Sequence, residues 1–405
     1  KKKYKIIYTF LLASFSLFAQ PIKFKATYGA AGNDWGYSAK QTFDKGYIAV
    51  GVTTSYSASI DIYVVKTDSA GRIIWYKTFG GNNVDRAYSI QQTNDTGYVI
   101  AGYTNSFGNG GYDMYLIKTD RNGDTLWTKR YGGTNWDFAY SVQQTVDSGY
   151  ILTGGTYSEG YGDEDVYLVK TDSKGDTLWT KTFGGVMEDE GKSVIQSSVD
   201  SGYVITGYTK SFADPNGDVY VVKTNKTGDT LWTKRYGGNA YDYAAEIVES
   251  SFQNCYVLAG ATKSFGVQMF DVYLLRLNYN GDTSWTTTAY VNPGTQDDVA
   301  NGVVKTADDN FAFIGYSTSN GAGYEDLYFQ KFSAFDGSWM AATTHGTQKH
   351  DIGYSISATS DSGFVFCGQT DTTINGFSLP NLLLIKTDSL GRSSGPFISS
   401  VNNNY

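Results

Sequence analysis

The ten residues DTLWTKRYGG at 124–133 return as DTLWTKTFGG at 176–185 and again as DTLWTKRYGG at 229–238. Looser copies are RIIWYKTFGG at 72–81, DTSWTTTAYV at 282–291 and GSWMAATTHG at 337–346. Trp75, Trp127, Trp179, Trp232, Trp285 and Trp339 mark the six copies. A second motif, typified by GYVIAGYT, begins at Gly46, Gly97, Gly149, Gly202, Cys255, Asn310 and Gly363, at offsets of 51, 52, 53, 53, 55 and 53 residues. A period near this length means like supersecondary units, each hiding its apolar faces against its neighbours. That rules out most single-core folds.

One unit can be read from 85 to 133. Strand a is AYSIQQT, strand b YVIAGYT, strand c DMYLIKT and strand d DTLWTKRYG. Asp, Asn and Gly punctuate them, as turns require. Alternating aromatic and β-branched residues suit strands, and no helical periodicity intervenes. Four antiparallel strands repeated seven times predict an all-β, seven-bladed propeller. The seventh unit stops after strand c, near Arg392. Residues 22–29 hold a spare strand, which is expected to join the last blade and close the ring. Small residues at the start of strand a (Gly36, Ala87, Ala139, Ala244, Gly353) fit strands crowded about an axis.

Lys1, Lys2, Lys3 and Lys5 precede an apolar run at 6–18, too short to span a bilayer comfortably. Residues 1–19 are expected to be a cleaved signal peptide, 20–392 the propeller and 393–405 a short polar tail. Cleavage would leave 28 basic against 40 acidic residues, a net charge of about −12. Such a chain is a poor partner for nucleic acid or anionic membrane. Cys255 and Cys367 fall in the same kind of strand two repeats apart, so each is expected to be a buried free thiol.

The c–d segment KTDRNGDTLW resembles the tryptophan-docking motif of quinoprotein-like propellers. Gly71–Trp75, Gly123–Trp127, Gly175–Trp179, Gly228–Trp232 and Gly281–Trp285 keep its Gly-to-Trp spacing. The Asp-to-Gly gap is one residue shorter, and there are seven units rather than eight. The whole repeat, with DSGYVITGYT and DTLWTKTFGG, looks like the secreted repeat propellers of Bacteroidetes. That resemblance implies export to the periplasm, the outer surface or the medium of a Gram-negative bacterium.

In a four-stranded meander the b–c loops and d–a connections share one face. The b–c loops vary most among repeats, and variable loops on a rigid scaffold are where ligands bind. Trp35 and Trp136 each neighbour a recurring Asp there, and Tyr241 occupies the place of Trp136 in a third connection. Trp35, Trp136, Tyr241, Asp34, Asp137 and Asp242 are therefore the candidate ligand residues: rings match the apolar faces of sugars, and carboxylates their hydroxyls. The recurring Asp (also Asp85, Asp189, Asp298 and Asp351) has a second reading, in which each carboxylate ties its own loop. Asp163, Glu164, Asp165, Glu188, Asp189 and Glu190 form two acidic clusters expected on the same face, a candidate Ca²⁺ site. His345 and His350, the only histidines, lack a zinc spacing.

No GxSxG, HExxH or P-loop occurs. The expectation is a non-enzymatic binding or scaffold propeller for a glycan or a surface protein. A polysaccharide lyase or hydrolase working at the channel mouth is one alternative, and a purely structural part of a surface assembly is another. Oligomeric state is not legible.

Overall fold

A computed structural model describes residues 22–394 and 397–399, apart from 109, 213–215, 267–268, 290–295, 322 and 375–376. Seven antiparallel sheets follow one another along the chain. In strand order a to d, blade 1 is Asp34–Gln41, Tyr47–Thr53, Asp61–Thr67 and Ile73–Phe79. Blade 2 is Asp85–Gln92, Tyr98–Thr104, Asp113–Thr119 and Thr125–Tyr131. Blade 3 is Asp137–Gln144, Tyr150–Thr156, Asp165–Thr171 and Thr177–Phe183. Blade 4 is Asp189–Gln196, Tyr203–Thr209, Asp218–Thr224 and Thr230–Tyr236. Blade 5 is Asp242–Ser250, Cys255–Thr262, Asp271–Asn278 and Thr283–Ala289, and blade 6 is Asp298–Lys305, Phe311–Ser317, Asp326–Phe332 and Trp339–His345. Blade 7 takes Asp351–Ala358, Phe364–Ile374 and Phe377–Thr387 from the end of the chain. Its fourth strand is Phe24–Tyr28, antiparallel to Phe377–Thr387.

Burial explains the sequence pattern. Strands b and c are buried along almost their whole length, because a neighbouring blade covers each face. They read as continuous apolar runs. Strand d alternates, with one face toward solvent. The apolar clusters lie between blades. Val99 and Leu116 of blade 2 pack with Tyr150, Leu152 and Val169 of blade 3.

Each docking tryptophan lies on the c–d turn of the next blade. Gly123 has φ +79°, and a Cβ there would sit 2.8 Å from the ring of Trp75. Glycine is thus required twice, by backbone conformation and by the ring. Trp127 repeats this on Gly175, Trp179 on Gly228 and Trp232 on Gly281. Three of these indoles also meet the first tyrosine of the next strand b, Trp75–Tyr98 and Trp127–Tyr150 edge-on at 5.9 and 5.8 Å and Trp179–Tyr203 tilted at 5.7 Å. Trp339 departs from the expected set. Ala341 stands opposite Lys331, where Trp127 stands opposite Lys118, so Trp339 falls two residues early and is 66% exposed.

The closing strand repeats the contacts of a strand d. Phe24 lies against Gly71, and the Tyr28 hydroxyl donates to the Gly71 carbonyl at 2.6 Å. Trp127 and Tyr131, also four residues apart, make the same pair of contacts to Gly175. A turn-to-turn bond from the Ser360 N–H to Gln41 Oε1 (2.8 Å) links blade 7 to blade 1, as Asn94 N–H to Gln144 links blades 2 and 3. The tail goes beyond the expected boundary at 392: Phe397–Ser399 adds a fifth strand, parallel to Phe24–Tyr28. Cys255 and Cys367 are free and buried in strand b of blades 5 and 7. Among the described residues no helix is long and apolar enough to cross a membrane.

Candidate functional site

Strand a of every blade carries a β-bulge one residue after its small residue. The bulged residues are Tyr37, Tyr88, Tyr140, Lys192, Ala245, Asn301 and Tyr354. Bulges re-aim a side chain without ending the strand. Here they set an arc of rings around the central channel, a cavity of about 270 Å³. Ring centroids are 5.2 Å apart for Tyr354–Tyr37, 4.8 Å for Tyr37–Tyr88 and 5.3 Å for Tyr88–Tyr140. Lys192 continues the arc, its ammonium 4.3 Å from the Tyr140 centroid. Sequence reasoning missed this arc. Its signal was the residue after each small one, but a bulge cannot be read from spacing.

From Tyr88 the aromatic contacts run outward on the b–c/d–a face. Tyr103 meets Tyr88, Tyr112 and Phe138 within 5.8 Å. Trp136 then stands edge-on to Tyr112 (5.9 Å) and Tyr157 (6.1 Å). Trp136 is 51% exposed and lines a cavity of about 380 Å³ with Asn135, Tyr157, Gly162 and Asp163. Tyr241 sits at the matching place before blade 5, half-buried against Tyr208, Tyr243 and Phe270. Trp35 is half-buried in strand a of blade 1, two blades from Trp136. Phe107, Phe212 and Phe265 each pack on the tyrosine of their own strand c, a recurring scaffold contact.

Asp34, Asp137 and Asp242 are each fully buried. Asp137 Oδ2 accepts the Gly133 N–H (2.8 Å) and the Ser158 hydroxyl (2.7 Å), and Thr156 donates to Oδ1. Asp34 and Asp242 hold their loops in the same way. The reason is geometric: the Asp opens strand a, where the preceding loop folds back over it. Asp137→Ala should strand these donors and lower stability by about 2–4 kcal/mol, read by denaturant unfolding.

The two acidic clusters also divide among separate tasks. Among the described residues no group of three or more acidic, His or Cys side chains is arranged to hold a metal ion. Asp163 is exposed. Asp165 Oδ2 accepts the Tyr161 N–H at 2.5 Å, and Asp189 takes Gly185, Ser211 and Thr209. Burial, then the charge of Asp189, raises Asp165 to about 6. Glu188 pairs with Lys210 at 2.5 Å and accepts from the Tyr208 hydroxyl. Burial opposes its charge, but those donors outweigh it and its pKa ends below the ordinary value. The histidines are separate too. His345 is buried beside the Gly391 carbonyl, and His350 stacks on Tyr324 and meets Glu325.

Glu164 and Glu190 remain, and the fold brings them together. The Asp189 N–H donates across the blades to the Glu164 carbonyl at 2.6 Å, and Glu190 is the next residue. Both side chains are buried, at 4% and 6% exposure. Glu190 pairs with Lys192 at 2.7 Å. The Tyr157 hydroxyl donates to Glu164 Oε2 at 3.0 Å, while Oε1 has no partner. Oε1 fills the space left by Gly155, where a Cβ would lie 1.7 Å away. Burial first, then the charge of Glu190, raises Glu164 to about 8, against the pull of Tyr157 and Lys192. Burial and Glu190 likewise raise Tyr140 well above the usual phenol value.

This geometry defines a seven-bladed β-propeller with an aromatic and acidic channel mouth. The fold is shared with the WD40 domain of Neurospora crassa Pan2, at TM-score 0.55 and 9% identity, covering 92% of this chain and 99% of that one. It is also shared with the Dos1 propeller, at TM-score 0.53 and 11% identity, covering 93% and 98%. No protein-family model matches the chain. The regulatory protein FlaEY of Caulobacter vibrioides is 24% identical over 232 residues, 51% of this chain. The chain spans 23% of that relative's length.

Proposed function

We propose that this chain is a non-enzymatic binding propeller that works outside the cytoplasm and holds a glycan on its b–c/d–a face. Trp136 carries the reading. A half-exposed indole, flanked edge-on by Tyr112 and Tyr157 over an open cavity with Asn135 and Asp163 on its rim, offers a flat apolar face beside hydrogen-bonding groups. That is what a pyranose ring needs. The basic and apolar composition of residues 1–19 supports the location. A glycan array with the chain tests the ligand. Trp136→Ala should weaken a detected glycan about tenfold or more without lowering the unfolding midpoint, while Trp35→Ala should leave binding in place. If Trp136→Ala binds as the parent does, the site is elsewhere.

A second reading has one observation behind it. Glu164 and Glu190 are a buried carboxyl pair at the channel mouth with one pKa raised, a pattern also found in glycan-cleaving enzymes. Release of reducing ends from a bound polysaccharide, lost in Glu164→Gln, would favour a hydrolase or lyase over a binding module.

A further inference from the structure

We infer that the channel mouth recognises a sugar carrying a protonated amino group, with Glu164 and Glu190 as its counter-charges and Trp136 as its stacking face. This rests on the glycan reading above and deepens it.

The mouth already holds one ammonium. Lys192 lies over the Tyr140 ring at 4.3 Å and on the Glu190 carboxylate at 2.7 Å, so ring and carboxylate together form a cation seat. That seat faces two carboxyls and has one positive charge. Glu188 makes no further demand, being paired with Lys210. Glu164 Oε1, in a side chain only 4% exposed, is left without a donor. Burying such an oxygen unpaired is unfavourable, and an N–H donor would relieve it.

Gly155 shows that the place is specific to this blade. The positions matching it are Val52, Tyr103, Tyr208, Ala261, Tyr316 and Gln369, all with side chains. Only at blade 3 does the backbone leave room for a carboxyl, and only there does Glu164 fill it.

Tyr157 connects this seat to the sugar platform. Its ring stands 6.1 Å from Trp136 and lines the same cavity, while its hydroxyl reaches Glu164. A pyranose stacked on Trp136 would therefore direct a ring substituent along Tyr157 toward Glu164. Lys192 keeps about a third of its side chain exposed and is the part free to swing aside.

Without ligand, a proton on Glu164 supplies the missing positive charge. When an ammonium arrives, the Glu164 O–H bond breaks and the proton passes to solvent. The carboxylate then accepts an N–H from the ligand. Binding should thus release protons.

The test is isothermal titration of the full chain at about pH 5.5, where the ligand's amines as well as Glu164 carry their protons, with a glucosamine oligomer and with its N-acetylated counterpart, in two buffers of different ionisation enthalpy. The glucosamine oligomer should bind about tenfold or more tighter and release on the order of one proton. Glu164→Gln should bring the two oligomers to within about threefold of each other and abolish the proton release. Lys192→Met should tighten the amine-bearing oligomer, an outcome no general loss of structure would produce. Equal affinity of both oligomers for the parent would overturn the inference and leave the glycan reading standing. Binding of neither would sink both. Binding of an oligolysine peptide but of neither sugar would replace the sugar with a basic protein segment.

Discussion

Phe24→Ala is expected to lower the unfolding free energy by about 3–5 kcal/mol, as much as removing a core aromatic from the middle of a domain. The residue lies close to the start of the described chain, where substitutions are usually tolerated. Here it is 1% exposed and belongs to a cluster with Tyr28, Tyr47, Tyr63, Cys367 and Leu384, drawn from blades 7 and 1. Its ring covers Gly71, the service that Trp127 performs for Gly175. Removing it opens a cavity between blades 7 and 1, beside the pairing of Phe24–Tyr28 with Phe377–Thr387 that closes the ring through hydrogen bonds alone. Ile22→Ala is the control: Ile22 is 50% exposed and should change stability by no more than about 0.5 kcal/mol. Equal urea midpoints for the two variants would mean that the strand does not secure the ring.

The second large effect concerns pH. Glu164 is raised to about 8, by burial and then by Glu190, with Glu188 adding to the rise and Tyr157 and Lys192 opposing it. In the unfolded chain the group titrates near the ordinary value of about 4.3. Between these limits the folded protein keeps a proton that the unfolded chain releases, so unfolding becomes easier as pH rises. Stability should therefore fall from about pH 5 to about pH 8, with Glu164 contributing about 3–5 kcal/mol of the change. Asp165, raised to about 6, adds to the fall over the lower part of the window. Glu164→Gln is neutral at every pH and keeps an acceptor for the Tyr157 hydroxyl. It should flatten most of the slope and be more stable than the parent at about pH 8.5. Parallel stability curves for parent and variant would show that Glu164 is not held protonated by the fold. The two experiments are independent, since the closing seam and the channel mouth share no side chain.

Much of the architecture is legible before any coordinates. The seventh unit stops after strand c while residues 22–29 hold a spare strand, which is why a strand near the beginning of the chain could be assigned to the last blade. Trp339 shows the limit of that logic. It carries the right residue type in the right copy, yet its strand is paired two residues out of step, so the ring faces solvent.

By itself the sequence determined the seven repeats, their four strands, the strand that closes the circle and the variable face, because those follow from local periodicity that each unit restates. Only the tertiary structure decided which side chains meet at the mouth. A bulge turns Tyr140 and Lys192 toward the axis, and a hydrogen bond between blades sets Glu164 beside Glu190, 26 positions further along the chain. It also buried Asp34, Asp137 and Asp242 beneath the loops they hold. Contacts between blades depend on how one sheet lies against the next, and no pattern within a single repeat encodes that.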